Sequence, residues 1–327
     1  MTSLDRKVVT LHNEYVIISD MASRNIQIDI TKGITIVLMI IGHCSLFDGT
    51  VRYLIFSFHM PLFFIFSGYF FRDKPIVDIV KSGIDRLVKP YIIYALITEI
   101  LFRLFWRKGV VSCIMDILFA HGGPKHTIFF PTETSIGPIW FLMAIFWCRI
   151  FYTLINKICN NKIYLSAFIS FAVSCITIYV GKYLLNLPLG ILTGASGLAF
   201  YAVGPILKNT SSKYVYVTIA LWLVAVIFHQ TNVDMVNFNY RFYPFDFFCA
   251  IGGSLFVFLI SCFWATQVKT HGLATLGVYS LEILCIHQVV LSLCNIFGYN
   301  GWSFLIANIT LPVILPLAYY KLRASKI

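Results

Sequence analysis

The sequence has little charge. Of its 327 residues only 12% are charged, while 59% are hydrophobic and 17% aromatic, and the mean hydropathy is +0.82. A soluble domain carries roughly twice that charge, so the composition points to an integral membrane protein and not an ordinary soluble one. Carboxylates are scarcer than cations, 14 against 25, which leaves a formal net charge of +11. No nucleic-acid motif accompanies that excess, and flanks of membrane spans account for it better than a nucleic-acid footprint. The nine cysteines show no CxxC or zinc spacing and lie mostly inside apolar runs, so they read as small core hydrophobes and no metal is expected. The polar N-terminus lacks a signal-peptide pattern. No internal repeat is evident, which argues against a transporter built from duplicated halves.

What is present is one apolar run after another. At ~20 residues per span there is room for about ten, placed near 28–46, 51–71, 87–106, 136–156, 162–181, 188–207, 213–229, 243–264, 272–296 and 301–321. The expected fold class is an all-α integral membrane bundle of about ten transmembrane helices with both termini cytoplasmic. The expected organisation is a cytoplasmic N-terminal segment, 1–27, a transmembrane domain, 28–321, and a cytoplasmic tail, 322–327. The basic residues set the orientation: with the N-terminus inside, 16 lie in inside segments and 6 in outside segments. The longest connection, 107–135, then faces outward, and a loop of that length usually has a function. It carries His121-Gly-Gly-Pro-Lys-His126 and Phe130-Pro-Thr-Glu133.

The first span contains Asp29, Lys32 and His43. Ionisable groups in lipid are costly and mark function by default. Lys32 and His43 are three helical turns plus about 20° apart, so they share a face, about 16 Å apart along the axis. Depth can be assigned to the other ionisable groups in the same way. His59, Glu99, Arg103, Asp246 and His287 fall in the outer half, Glu282 near mid-membrane, and Arg86, Lys89 and Arg149 toward the cytoplasm. Imidazoles and carboxylates form an outer layer, ammonium and guanidinium groups an inner one. Each has a plainer reading. A membrane histidine can be a helix–helix hydrogen bond, Arg86 and Lys89 can be orienting anchors, and Trp140 can be an interfacial aromatic. Arg149 needs a partner wherever it lies inside a span. Glu282 and His287 are about 140° apart around their helix and do not share a face.

The ordered set of motifs resembles the membrane-bound acyltransferase family 3, in particular its fucose 4-O-acetylase-like branch, over most of the chain. Lys32 and His43 fit the basic-residue-x10-His pattern, with Asp29-Ile-Thr-Lys-Gly as lead-in. Phe58-His-Met-Pro-Leu-Phe-Phe-Ile-Phe-Ser-Gly-Tyr69, Arg86-Leu-Val-Lys-Pro90, Ile139-Trp-Phe-Leu142 and Leu276-Gly-Val-Tyr-Ser-Leu-Glu-Ile-Leu-Cys-Ile-His287 resemble its later segments. There are departures. Lys32 stands where many relatives have Arg, so bidentate phosphate contact is not available. Trp-Phe-Leu stands where many have Trp-Ser-Leu followed by a Glu-rich stretch. The sequence to Ile327 carries no SGNH-hydrolase domain, so the membrane domain is expected to finish the transfer alone or hand it to a separate protein.

The resemblance implies transfer of an acetyl or similar acyl group from cytoplasmic acyl-CoA to a hydroxyl of an envelope or exopolysaccharide sugar. Acetyl-CoA is then a donor substrate, and the chain is multi-pass in a cell membrane, bacterial plasma or inner membrane. Implied partners are acyl-CoA, a sugar or glycan acceptor and the bilayer. On this reading His43 is the general base or a transient acyl carrier, with Glu99 or Glu282 as the carboxylate that orients it. Lys32, Arg86, Lys89 and Arg149 meet the CoA phosphates. His59, Trp140, Asp246 and His287 meet the acceptor. The competing classes are a transporter or flippase of envelope glycan precursors, with the buried charges as an ion path, and a non-enzymatic envelope-assembly subunit.

Overall fold

The computed structural model describes residues 25–47, 49–126, 133–183, 187–209, 214–267, 271–299 and 301–324. Most of the expected N-terminal segment, the Phe130-Pro-Thr stretch, the connection holding Lys269 and the last three residues lie outside the described residues.

Apolar composition with few helix breakers folds nearly everything into helix. Element α1 is Ile26–Gly42, followed by α2 Thr50–Phe56, α3 His59–Tyr69 and α4 Ile76–Gly83. A π-helical turn, Ile84–Val88, leads into α5 Lys89–Trp106, then α6 Val110–Phe119. Strands β1 Lys125–His126 and β2 Glu133–Thr134 pair antiparallel, and a 3-10 turn, Gly137–Ile139, opens α7 Trp140–Ile158. Next come α8 Ile163–Tyr183, α9 Ile191–Ser196, α10 Leu198–Asn209 and α11 Tyr214–Ile227. A second antiparallel pair, β3 Val233–Asp234 and β4 Asn239–Tyr240, precedes α12 Tyr243–Gln267, α13 His271–Val278, α14 Ser280–Ile296 and α15 Gly301–Ala324.

Among the described residues four stretches are long and apolar enough to cross a membrane: Thr50–Tyr69, Gly137–Ile158, Ile163–Tyr183 and Tyr243–Ala265. There are up to six if each of two bent pairs is one span. One pair bends by 51° between α9 and α10, the other by 79° between α13 and α14. Chain segments expected as single spans, 188–207 and 272–296, are therefore interrupted, at Gly197 and Tyr279.

Helices approach closely where glycine removes the side chain. A Cβ at Gly33 of α1 would strike the Leu273 carbonyl, and one at Gly277 of α13 would strike the Asp29 carbonyl. Gly68 and Gly204 do the same for α3 and α10, and Gly252 does so for α12 against Thr218 of α11. Small-residue crossings of this kind suit a solvent in which apolar burial gives little drive between helices. The outer surface is correspondingly apolar: Ile93, Ile100 and Leu104 form an exposed stripe along α5.

Contacts between distant segments tie the helices together. Asn161 donates to Asp73 at 3.2 Å, the hydroxyls of Thr31 and Ser261 are 2.5 Å apart, Tyr53 donates to the Thr231 carbonyl at 2.8 Å and Phe105 packs edge-on to Phe297 at 5.8 Å.

Candidate functional site

The N-terminus of α1 is fixed by Asn25, whose side chain accepts from Ile28 N, and Asp29 in the first turn complements the positive helix end. The helix is regular to Gly42, so the three turns between Lys32 and His43 hold, about 16 Å along the axis. Lys32 Nζ lies 3.8 Å from Asp29 Oδ1 and 4.9 Å over the Phe70 ring. His43 caps the C-terminal end, its backbone N–H returning to Met39 and Ile40.

Three histidines come together at that end. The His43 and His287 ring centroids are 5.7 Å apart, and His43 is 5.6 Å from Phe56, which lies 4.8 Å from His59. His59 Nδ1 donates to the Ile55 carbonyl at 3.0 Å. His287 is fully buried, and neither ring nitrogen has a hydrogen-bond partner among the described residues. Native proteins leave few buried polar atoms unsatisfied, and such groups cluster where a ligand completes them. The next residue, Gln288, also keeps its Oε1 without a partner. Gly137 makes room for it: φ there is +69°, and an added Cβ would come within 2.5 Å of Gln288 Oε1. Arg52 lies 4.9 Å over the opposite partner of His43, Phe56. The two imidazoles are near enough for both to act on one bound group. One can take a proton while the other donates to an adjacent oxygen.

The remaining expected site residues are placed as follows. Glu282 lies in the first turn of α14, just past the break at Tyr279. Glu99 pairs with Lys108 at 2.7 Å, and Lys108 also pairs with Asp116, whose second oxygen accepts from Ser135 N at 3.0 Å. Both carboxylates are buried. Burial alone would lower the basicity of Lys108, but hydrogen bonds from its ammonium to the two carboxylates outweigh that and hold its pKa above the ordinary lysine value. Arg149 donates to Ser82 Oγ at 3.1 Å. Arg86 and Lys89 are exposed, and Lys89 pairs with Asp85 at 2.6 Å. Trp140 is buried over Gly122. Asp246 is buried and accepts from Thr231 Oγ1 at 2.8 Å, Asn232 N at 3.1 Å and Phe242 N at 2.9 Å, so it ties the segments before β3 and after β4 to the start of α12.

Sequence reasoning missed Gln288, Phe56, Arg52 and the Lys108–Asp116 pair. Gln288 follows His287 directly and could have been flagged as a polar pair in an apolar run. The others depend on which helices are neighbours.

Residues 25–322 match the family model described as "Acyltransferase domain". Nodulation protein NolL of Sinorhizobium fredii (strain NBRC 101917 / NGR234) is 27% identical over 133 residues, 38% of this chain and 34% of that protein. Nodulation protein NolL of Mesorhizobium japonicum (strain LMG 29417 / CECT 9101 / MAFF 303099) is 26% identical over 134 residues, again 38% and 34%. The chain spans about a third of the length of the curated relatives it matches.

Proposed function

The chain belongs to the acyltransferase domain family, and from that premise we propose that it is a multi-pass membrane O-acyltransferase. It moves an acetyl or similar acyl group from cytoplasmic acyl-CoA to a hydroxyl of an envelope or exopolysaccharide sugar. The observation that carries this reading is the pair of imidazoles, His43 and His287, at the end of a helix that holds Lys32 three turns away.

In the proposed reaction a ring nitrogen of His43 takes the proton of the sugar hydroxyl as its oxygen attacks the thioester carbonyl. The carbonyl oxygen carries the negative charge of the tetrahedral intermediate, and His287, whose nitrogens have no partner among the described residues, donates to it. The C–S bond then breaks, and the departing thiolate takes the proton from the His43 imidazolium to give free CoA. Transfer through an acyl group carried on His43 is the two-step variant. Glu99 is held by Lys108, which leaves Glu282 as the better orienting carboxylate. Lys32 and Arg149 face the donor phosphates, and Arg86 and Lys89, exposed at the same end, draw an anionic donor toward it. His59, Trp140 and Asp246 line or shape the acceptor side.

The membrane arrangement is part of the proposal: about ten spans with both termini in the cytoplasm of a bacterial plasma or inner membrane. The contacts fit this grouping: Asp73 and Asn161, in connections assigned inward, hydrogen-bond to one another, and Tyr53, near the outward-assigned start of the second span, donates to Thr231 in an outward-assigned connection. A flippase is the second reading, favoured by the bent pairs α9–α10 and α13–α14, since interrupted helices also build transport sites.

The test is purified protein in detergent with acetyl-CoA and candidate sugars, followed by free thiol release, together with mass spectrometry of the native envelope glycan with and without the protein. Thiol release that depends on a sugar supports the enzyme. Solute crossing liposomes with no thioester consumed would establish the flippase instead.

A further inference from the structure

The three grouped histidines differ in access. His59 and His287 are buried, whereas His43 is half-buried. A ligand coming from solvent therefore meets the pair at His43. Phe56, also half-buried, stands there with its ring 5.6 Å from that of His43. Arg52, one turn earlier on α2, is exposed and lays its guanidinium 4.9 Å over the same phenyl ring. A single ring thus separates this cation from the imidazole assigned as base.

A second cation stands close by. Tyr53 follows Arg52, and its ring lies 4.6 Å from that of His229. Arg241, exposed, donates to the His229 carbonyl at 2.9 Å. The carboxylates of this quarter are occupied locally. Asp246 is buried on Thr231, Asn232 and Phe242. Asp234 accepts from Val236 N, Asn237 N and the Asn237 carboxamide. Over α2 and the segment from His229 to Asp246, the exposed formal charges are therefore positive.

Membrane orientation does not account for Arg52. It lies in an outward-assigned segment, against the bias that puts 16 basic residues inside and 6 outside. Cation–π contact with Phe56 accounts for its posture. The five N–H donors of a guanidinium lie in its plane, so contact with the ring and an in-plane bond to an anion do not exclude one another.

The chemistry of the ligand follows from that fork of donors. Carboxylate and phosphate both accept it bidentately. With one ring between guanidinium and imidazole, an anionic group on the reacting sugar or on its neighbour reaches Arg52 while the reacting hydroxyl is at His43.

We propose that Arg52 is a specificity-determining residue for an anionic acceptor, a glycan with a carboxylate or phosphate on the reacting sugar or the one beside it. Arg241 adds attraction at longer range. This rests on the acyl-transfer reading given above and narrows its acceptor; Arg52 takes no part in the bond changes.

The test uses envelope glycan from cells lacking the protein, in three forms: untreated, carboxyl-reduced, and dephosphorylated with hydrofluoric acid. Thiol release from acetyl-CoA is followed with the full chain in detergent. For wild type, at least one treatment should raise the acceptor KM about tenfold, the loss of one charge-assisted contact, and which treatment does so tells carboxylate from phosphate. Arg52→Ala should bring the KM of untreated glycan up to that of the treated form. Arg52→Lys keeps the charge without the fork, so its preference should fall between the two; it also serves where Arg52→Ala does not fold. Lys182→Ala removes an exposed cation at the end of α8 and should keep the wild-type preference within about twofold. Equal KM for all three forms in wild type would overturn the proposal while the transfer reading stands. So would an Arg52→Ala that lowers kcat/KM for all forms by one factor, the behaviour of a residue that only holds Phe56. Wild type that releases no thiol with any form removes the transfer reading and the proposal with it.

Discussion

The imidazoles of His43 and His287 lie 5.7 Å apart, centroid to centroid, tilted by 42°. They come from the first and the penultimate described helices, and one of them has no hydrogen-bond partner of its own among the described residues. If the pair is the reaction centre, its two members fail differently. His43→Ala removes the base and should lower sugar-dependent thiol release by about a hundred- to ten-thousand-fold. Full activity in His43→Ala would end its role as base.

His287→Leu makes a sharper case. Removing a side chain whose nitrogens have no partner among the described residues orphans none of them, so folding should change little. Thiol release should still fall by about a hundredfold, the size of a lost oxyanion donor. A variant that loses thermal stability and activity in the same proportion would mean that His287 only packs.

Lys108 holds two buried carboxylates, Glu99 and Asp116. Lys108→Met leaves both without their counter-ion and should cost about 3 kcal/mol in a thermal or denaturant melt. The pH dependence has a definite sign. The folded pKa of Lys108 lies above its ordinary value of 10.5, so the stability it contributes is complete below that value and is lost as pH rises through the higher folded pKa. Wild type should therefore lose stability more steeply than Lys108→Met at pH above 10.5. Parallel alkaline curves would mean that the ion cluster is not formed.

The α1–α13 crossing can be tested with two glycines of one helix. Gly277→Ala places a Cβ on the Asp29 carbonyl and should destabilise by about 1–3 kcal/mol or more, lowering the folded yield in detergent. Gly272→Ala, with nothing within 4 Å, should behave as wild type. Equal yields for the two would show that α1 and α13 do not meet as described.

Asp246 was expected at the acceptor, and the structure shows it holding a loop together. It holds Thr231, Asn232 and Phe242 in place, so Asp246→Ala should cost about 3 kcal/mol in stability. On the proposed reading it should also raise the acceptor KM more than it lowers kcat, because a loosened loop weakens binding before chemistry. An unchanged melting point with kcat alone reduced would assign it to the chemistry instead.

The resemblance read from motif order was legible in sequence because those motifs are local: a basic residue and a histidine at helical spacing, a Phe-Phe-x-x-Ser-Gly run, a Gly-x-Tyr-Ser-Leu…His run. The family match over residues 25–322 agrees with it. The all-helical, apolar class was legible for the same reason, since hydropathy and helical period are properties of neighbouring residues.

What the sequence left open was partner choice. Glu99 and Glu282 looked equivalent as supports for His43, and only the fold showed Glu99 committed to Lys108. His287 was one histidine among several until α14 brought it beside His43. The reason is physical. In an apolar chain the hydrophobic pattern hardly distinguishes one helix face from another, and lipid gives little drive to bury either. Glycine crossings such as Gly33 with Leu273, together with the breaks at Gly197 and Tyr279, decide which helices touch. The sequence determined that Lys32 and His43 share a helix face; the tertiary structure decided what faces them.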